Sequence, residues 1–177
     1  MSFEHRPVLQ TDKEALYALA ETSFARWGGY GHTVLVWSAL EGVRTWVVED
    51  PGGGLLGFVM FAQVQYAADQ ERFSEVIAIA TDRRVRETGL GQFLLNEAVD
   101  EMSGWTGGGG HVWLSVAADN AAARRLFERA GFLQRAGDSP SYPNGVRSLR
   151  MAVPARAKAL RTVDPGVIEI WAEGTLR

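Results

Sequence analysis

The 177-residue chain contains no cysteine. This one absence rules out a disulfide framework, a thiolate metal site and a cysteine nucleophile. The chain also has no run of about 18 apolar residues, the length that a membrane-spanning helix needs. Residues 1–7 (MSFEHRP) hold no apolar core of the kind a secretory leader carries. The expectation is therefore a cytoplasmic protein with no membrane partner. Basic charge is not in excess: 18 Lys and Arg stand against 21 Asp and Glu, a formal net charge of −3. A dedicated nucleic-acid binder is usually basic, so no nucleic-acid partner is expected. Lysine is almost missing, with only Lys13 and Lys158, and nothing functional follows from that. No spacing of His, Asp and Glu suggests a metal site, and no Ser/His/Asp set stands out.

What is present is enough apolar residue, 46% of the chain, for one full-sized core. The most informative stretch runs from Glu75 to Met102. Val76 to Thr81 is apolar, partly β-branched and bounded by charges, which predicts a buried strand. Leu90, Leu94, Ala98 and Met102 recur every four residues, which predicts an amphipathic helix. Between them lies a basic turn, with Arg83, Arg84 and Arg86, that closes on Gly89-Leu90-Gly91. A strand, a glycine turn and a helix start make an anion site. The first helical turn leaves backbone N–H groups unpartnered, the helix dipole adds positive charge there, and glycine lets a phosphate approach the backbone. The turn is neither Gly-x-Gly-x-x-Gly nor Gly-x-x-x-x-Gly-Lys-Ser/Thr, so neither common nucleotide loop is matched.

The rest of the chain alternates in the same way. Arg6 to Gln10 predicts a short first strand. Thr11-x-x-Glu14 predicts a capping box for a helix running to about Trp27, stopped by Gly28-Gly29. Residues 33–40 can form a short helix capped by Thr33 or, by propensity, a strand; helix is favoured. Thr45–Asp50 and Leu55 to about Val64 predict a hairpin around Pro51-Gly-Gly-Gly54. After the central helix, the glycine run 107–110 precedes a strand and reads as a connector. His111–Val116 is the next strand. A helix capped by Asp119 or Asn120 follows and ends at Gly131; then come a strand starting at Phe132 and a last core strand over Val146–Val153. Val167–Trp171 alternates like a strand that can add to a sheet edge, in this chain or in a second copy, which would make a homodimer.

Two motifs then share one resemblance. Arg86-Glu-Thr-Gly89-Leu-Gly91 resembles the acetyl-CoA signature Arg/Gln-x-x-Gly-x-Gly/Ala of the GNAT superfamily of N-acetyltransferases. Asn120, Ala123, Leu126, Gly131 and Phe132 fall where that family has Asn-x-x-Ala-x-x-Leu-Tyr-x-x-x-Gly-Phe. Spacing and element order also match, from about Val76 to Phe132. The resemblance implies an α/β GNAT fold: a mixed, mostly antiparallel sheet flanked by helices, with splayed central strands, over residues 1–153. Residues 154–177 would be a C-terminal extension. It implies transfer of acetyl from acetyl-CoA directly to a primary amine of a small-molecule or peptide acceptor. The alternative is an inactive acyl-CoA-binding module. The pantetheine arm would pair with Ile79, Ala80 and Thr81, and the pyrophosphate would sit on Arg86, Glu87, Thr88, Gly89, Leu90, Gly91 and Gln92. Asn120 would bond near the pantetheine.

Two departures stand out. Glu87 occupies a place where glycine is common, so a carboxylate lies close to the expected phosphates. Phe127 stands where the family often has a tyrosine that can protonate the leaving thiolate. Attack requires a neutral amine, and an alkylammonium near its ordinary pKa of about 10.4 needs a base. Glu75, opening the central strand, is the first candidate. Asp82 and His111 are weaker ones; His32 could line an acceptor pocket, and the aromatic loop Trp27-Gly-Gly-Tyr-Gly-His32 reads either as a wall of that pocket or as a plain inter-helix loop.

Overall fold

The computed structural model describes residues 3–66, 72–136, 141–142, 144–157 and 165–170. Strand β1 (Arg6–Pro7) leads into helices α1 (Lys13–Phe24) and α2 (Gly31–Ser38). Strands β2 (Arg44–Glu49), β3 (Leu55–Tyr66) and β4 (Arg72–Thr81) follow. Helix α3 (Leu90–Trp105), strand β5 (His111–Ala117), helix α4 (Ala121–Arg129) and strands β6 (Leu133–Gln134), β7 (Ser148–Pro154) and β8 (Val167–Ile170) complete the chain. The sheet runs β1-β2-β3-β4-β5-β7-β6, with β8 also on β3. Among the described residues β4–β5 and β3–β8 pair in parallel and the other pairs are antiparallel.

Helices cover both faces of the sheet's centre, which explains why β3 reads as one apolar run instead of an alternation. Val59 and Phe61 join the core under α3, while Phe58 and Met60 join the core under α1 and α2. The four-residue stripe of α3 faces inward as its spacing predicts, with Leu90, Leu94, Ala98 and Met102 all buried. In α1 the inward positions are Leu16 and Ala20. Ile168 of β8 is buried beside Ala62 and Val64. The tail strand therefore lies along Gln63–Tyr66 of its own chain, continuing the edge of β3 that β2 leaves after Phe61.

Several boundaries differ from the sequence expectation. The first strand is only two residues long, because Gln10 enters a 3-10 turn, Gln10–Asp12. The Thr11/Glu14 capping box does not form; Asp12 takes the N-cap position of α1. Its carboxylate accepts the Leu9 N–H at 2.7 Å and the Arg6 guanidinium at 2.7 and 3.0 Å, and Arg6 holds it below the usual carboxylate range. A buried ion pair that also ties two strand-side backbone groups outcompetes a solvent-exposed cap. Helix α2 starts at Gly31, with Tyr30 rather than Thr33 at its N-cap. Strand β4 begins at Arg72, four residues before Val76. Part of the segment between the strand at Phe132 and the last core strand, and the end of the predicted tail strand, lie outside the described residues.

Gly57 lets α3 approach the sheet. A Cβ there would stand 3.0 Å from Leu94 Cδ1, 3.2 Å from Leu90 Cδ2 and 3.1 Å from the Ala80 carbonyl oxygen. The start of α3, and with it the glycine turn, is seated by this contact. Gly57→Ala is expected to lower stability by about 1–3 kcal/mol, because an overpacked core must shift backbone or leave good rotamers. Chemical denaturation with an unchanged m-value checks this; a stability equal to the parent's would show that α3 does not rest on β3 here.

Candidate active site

The sheet splits in its middle. Strands β4 and β5 pair only through Ser74–Val112, Glu75–Trp113 and Val76–Leu114. Beyond that point β4 stays with β3 up to Thr81, and β5 stays with β7 up to Ala117. A bulge starts the divergence. Met60 pairs with Ala78 and Phe61 with Val76, so Ile77 is an extra residue on β4. Such an insertion bends and twists the strand that carries it. The residues of β4 from Ile77 to Thr81 thus turn one edge of backbone toward a gap instead of toward β5, and backbone groups at such an edge require a partner.

A cleft of about 260 Å³ fills the split. Its floor includes Ile77, Ala78 and Ile79 from β4 and Ser115, Val116 and Ala117 from β5. On one side stand Asn120, Ala123 and Phe127 of the β5–α4 segment; on the other, the aromatic residues Phe24, Trp27, Tyr30 and Trp37 of the α1–α2 segment. Asn120 caps α4: its Oδ1 accepts the Ala123 N–H at 3.1 Å. Its amide NH₂ makes no bond to the described residues, so capping and a role in the cleft are compatible. Phe127 is buried at 4% exposure and tilts against Phe132 at 6.1 Å, yet it lines the cleft. Tyr142 also faces the cleft, and burial first, then Tyr30 and Asp119, push its phenol up to about 12.

The turn at the end of β4 is set by its own electrostatics. Asp82 accepts the Arg84 N–H at 2.8 Å and caps the 3-10 turn Arg83–Val85. Arg84 is held by Asp82 and Asp50 at 3.0 and 2.9 Å, so its charge is already matched. Arg84 also keeps Asp82 below its ordinary range, which makes Asp82 a poor base. Arg83 and Arg86 remain exposed. Glu87 has φ 65° and Gly89 φ 90°, both left-handed; the carboxylate side chain of Glu87 is exposed. Gly89 is the N-cap of α3, and no side chain among the described residues caps that helix. The first-turn amides of Leu90, Gly91 and Gln92 are thus available to an anion.

Other candidates are less free. The Thr88 hydroxyl donates to the Val85 carbonyl at 2.7 Å, and the Gln92 amide to Asn96 at 3.3 Å. The Leu90 side chain is core, so only its backbone can serve. Ile79 and Thr81 are half-buried and Ala80 is buried. Glu75 is buried beside Arg150, 3.4 Å away, and its side chain is not among those lining the cleft. His111 begins β5, at the end away from the split, and His32 is exposed on α2. Reading the sequence missed Trp37, Tyr142 and Ser148 as cleft residues. Tyr142 sits in a Pro- and Ser-rich connector that carries no such signal.

The profile of a family described as "Acetyltransferase (GNAT) family" matches residues 13–132. The chain belongs to the GNAT acetyltransferase family. Streptothricin acetyltransferase of Streptomyces lavendulae is 34% identical over 116 residues, 63% of this chain and 58% of that protein. The [ribosomal protein bS18]-alanine N-acetyltransferase of Salmonella typhimurium is 36% identical over 83 residues, 47% of this chain and 53% of that protein. This GNAT chain thus spans little more than half the length of these relatives. The crystal structure of Arabidopsis thaliana NAA60 in complex with acetyl-CoA superposes with a TM-score of 0.67 at 20% identity, over 86% of this chain and 98% of that one. The mixed, open sheet with splayed strands is the fold of this family. Among the described residues no helix is long and apolar enough to cross a membrane.

A non-glycine residue in the left-handed region is strained by about 1 kcal/mol, partly offset by the greater freedom of glycine in the unfolded chain. Glu87→Gly is therefore expected to fold with equal or slightly higher stability, by up to about 1 kcal/mol, in thermal melts. A clear loss would show that Glu87 is held by contacts that outweigh its backbone strain.

Proposed function

We propose that this GNAT chain is an acetyl-CoA-dependent N-acetyltransferase that moves acetyl directly to the primary amine of a small-molecule or peptide acceptor. The observation that carries the reading is the gap between β4 and β5, set beside an uncapped helix start. The turn from Arg86 to Gln92 holds the pyrophosphate through backbone N–H groups, with Arg83 and Arg86 adding charge. The pantetheine arm pairs with the free edge of Ile79, Ala80 and Thr81, and the Asn120 amide bonds to it from the α4 side. The relatives carry the names streptothricin acetyltransferase and [ribosomal protein bS18]-alanine N-acetyltransferase, and the NAA60 fold neighbour holds acetyl-CoA. The names support acetyl transfer, and the fold neighbour supports acetyl-CoA as the donor.

The chemistry is attack of a neutral amine on the thioester carbonyl. Backbone N–H groups near Ile77–Ile79 polarise that oxygen. A C–N bond forms, the C–S bond breaks and the sulfur leaves as thiolate. Phe127 cannot give that thiolate a proton. Tyr142 is a poor substitute, because a phenol near 12 is a much weaker acid than a thiol of about 8.5. The nitrogen that has just attacked is ammonium-like and strongly acidic, so its proton can pass to the sulfur or to water, and a dedicated acid is dispensable. Glu75 is the base in this reading. Its side chain is held by Arg150 and does not line the cleft, so it takes through water the proton that an incoming ammonium must lose before attack.

Acetyl-CoA at about 100 times its dissociation constant adds roughly 2.7 kcal/mol, a rise in melting midpoint of about 5–10 °C for a chain of this size. ATP is expected to give a much smaller rise. Gly89→Asp puts a carboxylate at the helix start and a strained residue at φ 90°, and should abolish the acetyl-CoA shift. Glu75→Gln should keep the shift but lower turnover about 100-fold or more. Equal shifts with ATP would overturn the donor assignment; unchanged turnover in Glu75→Gln would remove Glu75 from the mechanism.

A further inference from the structure

The aromatic side of the cleft carries information about the acceptor that the donor site does not. Phe24, Trp27, Tyr30, Trp37 and Tyr142 all line it. Phe24 and Tyr142 each meet Tyr30 edge to face, at 5.9 and 6.4 Å, so three of these rings brace one another. Burial keeps the two phenols protonated well above neutral pH. The described residues lining the cleft include no Asp, Glu, Lys or Arg. The carboxylate beside Trp27 is already engaged: Asp119 accepts from Arg26 at 2.7 Å and from Trp27 Nε1 at 3.0 Å.

One polar group within the cleft stands out. Ser148, at the start of β7, is 6% exposed, and its Oγ has no hydrogen-bond partner among the described residues. A buried hydroxyl without a partner is costly unless something fills the place. It pairs in register with Ala117, at the end of β5 where the sheet is split. The rim is bridged as well. The Arg26–Asp119 ion pair and the Trp27–Asp119 hydrogen bond join the α1–α2 segment to the β5–α4 segment. Asn144 Nδ2 donates to the Arg26 carbonyl at 2.8 Å and ties in the segment before β7.

We propose that the acceptor is a small primary amine with an apolar or aromatic body, seated against the rings of Trp27, Tyr30, Trp37 and Tyr142, with Ser148 orienting its amino group. This rests on the acetyltransferase reading and narrows it. Rings along the wall, with Ser148 the one cleft-lining serine whose buried hydroxyl has no partner among the described residues, suit a compact apolar body with one polar end. A polyamine would bring further charges into a cleft whose described lining holds no carboxylate, and a peptide would have to pass the bridged rim.

The test uses the full chain, acetyl-CoA and thiol release with four probes: 2-phenylethylamine, 3-methylbutylamine, spermidine and a tripeptide beginning with phenylalanine. The expected result is a kcat/KM for the two small amines at least tenfold above spermidine and the peptide. Trp27→Ala should erase that preference while keeping the acetyl-CoA melting shift. Ser148→Ala should raise KM for both small amines about tenfold or more. Spermidine equal to or better than the small amines would overturn the acceptor class and leave acetyl transfer standing, and so would the peptide as best substrate. A preference untouched in Trp27→Ala would overturn the assignment of the aromatic wall. Acetyl-CoA binding without thiol release for any amine would overturn the transferase reading itself, and this inference with it.

Discussion

A parallel pair of strands that stops pairing after three residues is the constraint on which the rest of this protein depends. The extra residue Ile77 makes β4 follow β3 while β5 follows β7. Each strand keeps one neighbour, so neither is lost from the sheet, but the edges that face each other are left without partners. A gap of this kind is unfavourable in a core unless a ligand completes it. The helices on the two faces hold the gap open. Helix α3 is seated on Gly57, and α4 begins at Asn120, where β5 has ended. Both helix starts therefore lie at the mouth of the split, one with glycine and no cap, the other capped by a side chain that keeps its amide group in reserve.

The electrostatics around the site favour backbone recognition over side-chain charge. Arg84, central in the basic turn, is matched by Asp50 and Asp82. The positive potential at the start of α3 then comes from peptide dipoles, from Arg83 and from Arg86. This explains how Glu87 can be tolerated: its backbone takes the left-handed conformation the turn needs, and its exposed carboxylate is screened by water. The cleft is divided in the same way, with a peptide edge and helix amides at one side and aromatic rings with the buried Ser148 hydroxyl at the other.

Much of this was legible in the sequence. The two motifs around Gly89 and Asn120, in order and at the right distance, indicated the fold and the uncapped glycine start of α3, because such backbone features leave glycine and cap signatures in the chain. The four-residue stripe of α3 was legible because burial on one helix face imposes it. The bulge at Ile77 was not, since one extra apolar residue in an apolar strand leaves no local mark. Of the aromatic side of the cleft, only the loop 27–32 stood out in the sequence; Phe24, Trp37, Tyr142 and Ser148 lie far apart in the chain and look like ordinary core or loop. The capping box failed for a related reason. Thr11-x-x-Glu14 has the right letters, but Arg6, brought near by β1, gave Asp12 a stronger claim on the helix start. Glu75 shows the same limit, since its nearness to the cleft-lining stretch was visible in the sequence and its pairing with Arg150 was not.

The central claim is that the unpaired edge of β4 takes the donor's arm as a strand would take a neighbour. Amide hydrogen exchange, read residue by residue with and without acetyl-CoA, tests this most directly, because a hydrogen-bonded amide exchanges more slowly than an open one. The account predicts new protection within Ile77–Thr81 together with the start of α3, Leu90–Gln92, and little change in β1, β2 or β6. Protection at the α3 start alone, with the β4 edge unchanged, would contradict it.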